Sequence, residues 1–311
     1  MPTPASEKHP QSVWLDTDIG DDTDDIFALA LICASPELQL AGVSTVFGET
    51  VERARLAQTV LQMNGRTTVP VAAGCGYPLL GTGHHTLFPN GPMPREPNPQ
   101  APCALPAAQL PPLSRLHAVD LLARHLRTHP GKTIPIAIGA LTNLATLLLH
   151  DAEAARKIPR LVVMAGEFRK NMWEWNIHCD PQSAACVAQS DLPIDFIPWQ
   201  IGMTCTVSRT QLDRLFASRT PTGKLLTRAV RLWRKAKKVH LMPHLFDPMA
   251  VAVVLHPEWF EWRRGRVTVS FAPATFSHTH FTLDPKGPHR VAWNVKAGPA
   301  VRTVWSRILS L

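Results

Sequence analysis

A chain of 311 residues with 45% hydrophobic and 18% charged side chains is too apolar for a disordered protein and long enough to bury a large core. Its formal net charge of +8 raises nucleic acid as a partner, but only one segment concentrates the basic residues, so nucleic-acid binding is not expected. No run of about 18 uninterrupted apolar residues exists, which excludes a membrane-spanning helix, and the six cysteines contain no C-x-x-C pair and read as reduced, mostly buried thiols of a cytoplasmic protein.

Residues 1–11 read as a flexible tail, and 12–311 as a single domain. Ser12–Asp16 is an apolar strand that runs into six aspartates within ten positions: Asp16, Asp18, Asp21, Asp22, Asp24 and Asp25. Like charges this dense repel one another and call for something positive to hold. Asp24–Ala34 has the pattern of a helix, Leu38–Val46 and Thr68–Ala73 are β-rich, and Thr133–Gly139 is a strand followed by a helix over Leu141–His150. Arg160–Gly166 is a buried strand, Pro181–Gln189 a helix and Ile194–Trp199 a strand. The C-terminal third adds a strand at Arg266–Phe271, a hairpin of His280–Leu283 with Arg290–Val295, and a helix from Pro299 to Leu311. Strands alternating with helices predict an open Rossmann-like α/β fold with a mostly parallel sheet of about eight strands, flanked by helices. In such sheets ligands bind at the carboxyl ends of strands, where the aspartates sit.

Two segments interrupt the pattern. Residues 77–112 hold ten prolines together with His84 and His85, and are expected to form an irregular loop near the site. Gly223–Val239 predicts an amphipathic helix with Arg228, Arg231, Lys235 and Lys238 on one face, bordering the pocket.

The acidic turn fails as an EF-hand loop, because positions six and twelve from Asp16 fall on Asp21 and Phe27 rather than Gly and Glu. A phosphatase-type D-x-D would need a different residue at Gly20 and a later acidic pair. A hard-cation site remains: clustered carboxylates plus a carbonyl suit Ca²⁺, which takes roughly six to eight oxygens. Asp247, before a predicted helix in FDPMAVA, and the carbonyl of Ile138 at a strand end are the candidates from elsewhere in the chain.

The order of D-x-D-x-G…DD at 16–25, VAAGCGYPL near 75, GALTNLA at 139–145, LVVMAG at 161–166, EWNIHCDP at 174–181 and FDPMAVA at 246–252 resembles the calcium-dependent nucleoside hydrolases of the inosine-uridine-preferring type. The resemblance implies hydrolysis of the N-ribosidic bond of a nucleoside-like small molecule, with Ca²⁺ as cofactor and a homodimer or homotetramer as assembly. It implies Asp18 as both metal ligand and base, with Asp25, Asp247 and the Ile138 carbonyl completing the metal shell. It further implies Asp24, Met164, Glu174 and Asn176 around the ribose, and Asp16 behind Asp18. Trp173 and Trp175 flank Glu174 and are expected to form a ligand-facing wall.

This sequence departs from the family pattern in four ways. Three residues separate Gly20 from the DD pair, so Asp22 is a competing metal ligand to the Asp24–Asp25 register. Glu49 stands where Asn is usual and adds a charge near the sugar. No H-G-x-x-G run occurs near residue 85. Phe246 stands where purine-active members carry the His that protonates the leaving base. His240, His244, His84 or His85 would have to replace that acid, or Phe246 would stack on a base that needs no proton. A non-catalytic nucleoside binder that lost the acid is the alternative reading.

Overall fold

A computed structural model describes residues 9–80 and 98–311. His84 and His85 lie outside the described residues. The chain order is β1 Gln11–Thr17, α1 Asp24–Cys33, β2 Leu38–Thr45, α2 Thr50–Met63, β3 Val71–Ala73, α3 Ala118–Thr128, β4 Thr133–Ala137, α4 Thr142–His150 and α5 Ala152–Ala155. Then follow β5 Leu161–Met164, α6 Trp175–Cys179, α7 Pro181–Ala188, β6 Ile194–Ile197, α8 Trp199–Thr204, α9 Arg209–Phe216, α10 Pro221–Lys237, α11 Phe246–Leu255, β7 Phe260–Val269, β8 Thr279–Leu283, β9 His289–Val295 and α12 Ala297–Leu309.

The nine strands form one sheet in the order β3-β2-β1-β4-β5-β6-β9-β7-β8. Every pairing from β3 to β9 is parallel; only β7 runs against its neighbours. The expected hairpin of β8 with β9 is corrected here. Both strands pair with β7 and not with each other, because β7 begins at Phe260 and is long enough to fill the space between them. β1 starts at Gln11, one residue inside the expected tail, because Gln11 already pairs with Leu38.

Period-two alternation divides the strands between two apolar cores, one on each face of the sheet. Val13, Leu15, Ile134, Ile136, Val162 and Met164 join α1, α2, α10, α11 and α12 on one side. Trp14, Ala137, Leu161 and Val163 join α3, α4 and α7 on the other. Burial on both faces explains why these strands read as unbroken apolar runs.

β1 pairs with β2 on one side and β4 on the other, so the chain reverses its order of strand addition at β1. This switch point leaves a crevice beyond the carboxyl ends of β1 and β4. Helices α1 and α11 are almost wholly buried, pack against each other, and have their acidic first turns at that crevice.

Candidate functional site

One cavity of about 260 Å³ lies at the crevice. Asp18, Asp21 and Asp22 reach it from the turn after β1, Asp24 and Asp25 from the first turn of α1, and Asp247 from the first turn of α11. Asp247 is thus inside its helix, with Leu245 as the cap, rather than before it. Ile138 follows β4, Met164 ends β5, and Glu174 and Asn176 belong to the start of α6; all four also line the cavity.

Asp24, Asp25 and Asp247 each offer a carboxylate oxygen within 4.8 Å of the others, all three buried. Ligands at roughly 2.3–2.6 Å from a Ca²⁺ ion set opposing oxygens about 5 Å apart, so this spacing fits a hard cation. The electrostatics point the same way. Burial, then the neighbouring carboxylates, hold Asp24, Asp25 and Asp247 well above the usual carboxylate range. Burial pushes the Asp18 carboxyl up to about 7, against the pull of Arg53. Buried carboxylates this close require either protons or a metal.

Several local devices make the arrangement tolerable. The N-termini of α1 and α11 favour negative charge. Thr17 Oγ1 donates to Asp25 at 2.5 Å. Arg53, buried in α2, donates to the carbonyls of Asp18, Ile19 and Phe47 and pairs with Asp21 at 2.6 Å. Gly139 lies so close to Asp18 that a Cβ there would stand 2.8 Å from its Oδ1. The far end of the proline-rich segment closes over the turn: Gln100 donates its backbone N–H to Gly20 O and its side chain to Asp22 O, both within 3.2 Å. Asn98 packs on Gly20, whose φ of +128° only glycine takes readily.

The sugar-side residues are tied to the backbone. Glu174 caps α6, accepting from the N–H groups of Gly166, Asn176 and Ile177 at 3.0, 2.8 and 3.2 Å. Burial nevertheless raises its carboxyl above the usual range. Asn176 Nδ2 donates to the carbonyls of Ile138 and Met164, each at 3.0 Å, which leaves its Oδ1 for a ligand and one lone pair on Ile138 O.

Some predicted site residues are not brought to the cavity wall. Asp16, expected behind Asp18 rather than on the wall, accepts from Ser44 and from Asn143 at 2.7 Å, which ties β1 to β2 and α4, and burial raises it to about 6. Glu49 is the exposed N-cap of α2. Trp173 is exposed and stacks on His178, whereas Trp175 lines the cavity. Asp22 lines the mouth but is exposed, unlike Asp24 and Asp25. His240 is exposed; His244 bonds Thr206 at 3.0 Å behind Phe246, its ring 5.4 Å from the phenyl. Of the leaving-group candidates within the described residues, Phe246 alone lines the cavity.

The cavity wall around Phe246 holds residues that the sequence patterns did not single out. Trp199, read as a strand end, opens α8 because β6 stops at Ile197; its ring stacks on Phe246 at 6.4 Å and 22°. Gly202 makes room for that stack, since a Cβ there would fall 2.0 Å from the phenyl ring. Helix α10 does border the cavity, but through Lys237 at its end rather than Arg228, Arg231 or Lys235. No pattern singles out Arg53, and Asn143 enters only as part of GALTNLA. Each is one of several polar residues in its helix, and its partners come from segments distant in sequence.

The family model described as inosine-uridine preferring nucleoside hydrolase matches residues 13–302. The chain belongs to this family. An uncharacterized protein of Schizosaccharomyces pombe is 34% identical over 83% of this chain and 84% of its own length. The pyrimidine-specific ribonucleoside hydrolase RihA of Photobacterium profundum is 32% identical over 80% of this chain and 81% of its own length. Among solved structures, a purine-preferring ribonucleoside hydrolase from Gardnerella vaginalis superposes with a TM-score of 0.83 at 22% identity, over 96% of this chain and 98% of its own, and shows the shared fold. The chain is therefore a nucleoside hydrolase, with a nine-stranded, mostly parallel sheet and an acidic cluster able to hold a metal. Among the described residues no helix is long and apolar enough to cross a membrane.

Proposed function

We propose that this hydrolase cleaves the N-glycosidic bond of a ribonucleoside in a Ca²⁺-dependent reaction with Asp18 as base, acting in the cytoplasm in nucleoside salvage as one domain over residues 12–311 and as a homodimer or homotetramer. The convergence of Asp24, Asp25 and Asp247 beside Asp18 carries the reading. Asp18, Asp25, Asp247 and the Ile138 carbonyl would hold the ion, whose charge fixes the ribose hydroxyls and acidifies a water. Asp18 takes the proton of the attacking water. Asp24, Glu174 and the Asn176 Oδ1 bind the ribose hydroxyls, and Met164 lies along the sugar. The dense carboxylate wall stabilises the positive charge that builds on the sugar as the bond breaks. Names of relatives such as uridine nucleosidase 1 of Arabidopsis thaliana, 27% identical over 97% of this chain and 94% of its own length, support a ribonucleoside as substrate.

Phe246 on the cavity wall favours one competing reading, a binder without turnover. Reducing sugar released from a ribonucleoside panel, with and without a chelator, separates the two. Asp18→Asn should lower turnover by roughly 10²–10⁴-fold while leaving the fold intact. A variant that still releases ribose at the parent rate refutes the assignment.

A further inference from the structure

We propose that Lys237 stabilises the departing base, and that the site is thereby matched to pyrimidine ribonucleosides; this rests on the hydrolase reading above. The base side of the cavity is aromatic: Trp175, Trp199 and Phe246 offer faces for a flat ring, and the Trp199–Phe246 stack is fixed by the contact with Gly202. The histidine nearest to it, His244, is held behind Phe246 by Thr206 and is badly aimed as an acid, and burial disfavours its charged form. Among the described residues lining the cavity, Lys237 is the one cation. It ends α10 at the cavity mouth, the chain leaving the helix through Lys238 in the left-handed region. Its charge acts on Asp22 across the mouth.

The chemistry follows from the charge that forms there. When the C1′–N bond breaks, its electron pair stays on the base nitrogen, while the water oxygen bonds C1′ and Asp18 receives the water's proton. In a pyrimidine that pair delocalises from N1 onto the O2 and O4 carbonyl oxygens. These lie on the ring edge, where an ammonium on a long flexible stem can meet them. The anion then takes a proton from solvent. A purine instead departs best when N7 is protonated first, and a nearby cation opposes that step.

The test uses the full chain loaded with Ca²⁺ and compares uridine, inosine and 4-nitrophenyl riboside, whose phenolate departs with little help. Wild type should favour uridine over inosine in kcat/KM. Lys237→Ala should lower kcat on uridine by roughly 10²-fold, with a much smaller loss on the aryl riboside, and Lys237→Arg should restore most of the uridine rate. Lys237 is exposed at a helix end, so the variants should keep the parent melting temperature. Equal losses on the two substrates, an unchanged uridine rate in Lys237→Ala, or a preference for inosine would overturn the proposal. Failure of the wild type to release ribose even from the aryl riboside would instead sink the hydrolase reading on which it rests.

Discussion

The two sides of the cavity are built differently. The side proposed to hold the sugar is made of strand ends and first turns of buried helices, and several of its polar groups are anchored: Arg53 on three carbonyls and Asp21, Glu174 on three backbone N–H groups, Asn176 on two carbonyls. The base side is made of helix ends, with an aromatic stack and a flexible lysine. On the proposed reading, fixed charge in the turn after β1 and in the first turns of α1 and α11 performs the chemistry. On the same reading, the helix ends around Phe246 decide which base is accepted. Substitutions on the first side should affect metal binding, stability and turnover together, and those on the second should change turnover and preference among substrates while metal binding and stability stay at the parent values.

The largest effect should come from Asp247→Ala. Calorimetry should find Ca²⁺ binding lost and ribose release reduced to background. In chelator the same variant should melt higher than wild type, because one repelling buried carboxylate is gone. A lower metal-free melting temperature would break the account of the cluster. Next, Arg53→Met leaves Asp21 without its buried partner and should destabilise the fold by roughly 3–5 kcal/mol in denaturant titration. Turnover should fall with it, because the Asp18 turn loses its clamp.

The pH dependence of the metal-free protein sharpens the same point. Asp18 and Asp16 have folded-state values of about 7 and about 6 against an ordinary 3.8. The folded state therefore holds protons that the unfolded chain releases. Stability is fully present below about pH 4 and is lost as pH rises through about 6 to 7. Melting temperatures in chelator should fall over that window, and saturating Ca²⁺ should flatten the curve.

On the base side, Phe246→His should restore a proton donor and raise purine turnover by about tenfold or more, with Ca²⁺ affinity unchanged. Gly202→Ala should have the smallest effect. Its Cβ would displace the Phe246 ring, raising KM for the nucleoside while calorimetric Ca²⁺ binding stays at the parent value. Loss of metal affinity in either variant would mean that the two sides are not separable.

Much of this was legible from the residues. Unbroken apolar strands such as RLVVMAG announced a sheet buried on both faces, and DTDIGDDTDD announced a cation site. The loop-to-strand boundaries were less legible. Trp199 continues the apolar run of β6 but turns into α8, and β8 and β9 look like hairpin partners until β7 is seen between them.

The sequence by itself determined the α/β class and the acidic turn, because both follow from short-range pattern: alternating burial along a strand, and charge density within one loop. Only the tertiary structure decided that Asp247 converges on Asp24 and Asp25, that Glu49 stays off the cavity wall, and that Lys237 and Trp199 line the cavity beside Phe246. Those outcomes depend on the order of strands in the sheet and on where each helix ends, which are set by packing between segments far apart in the chain.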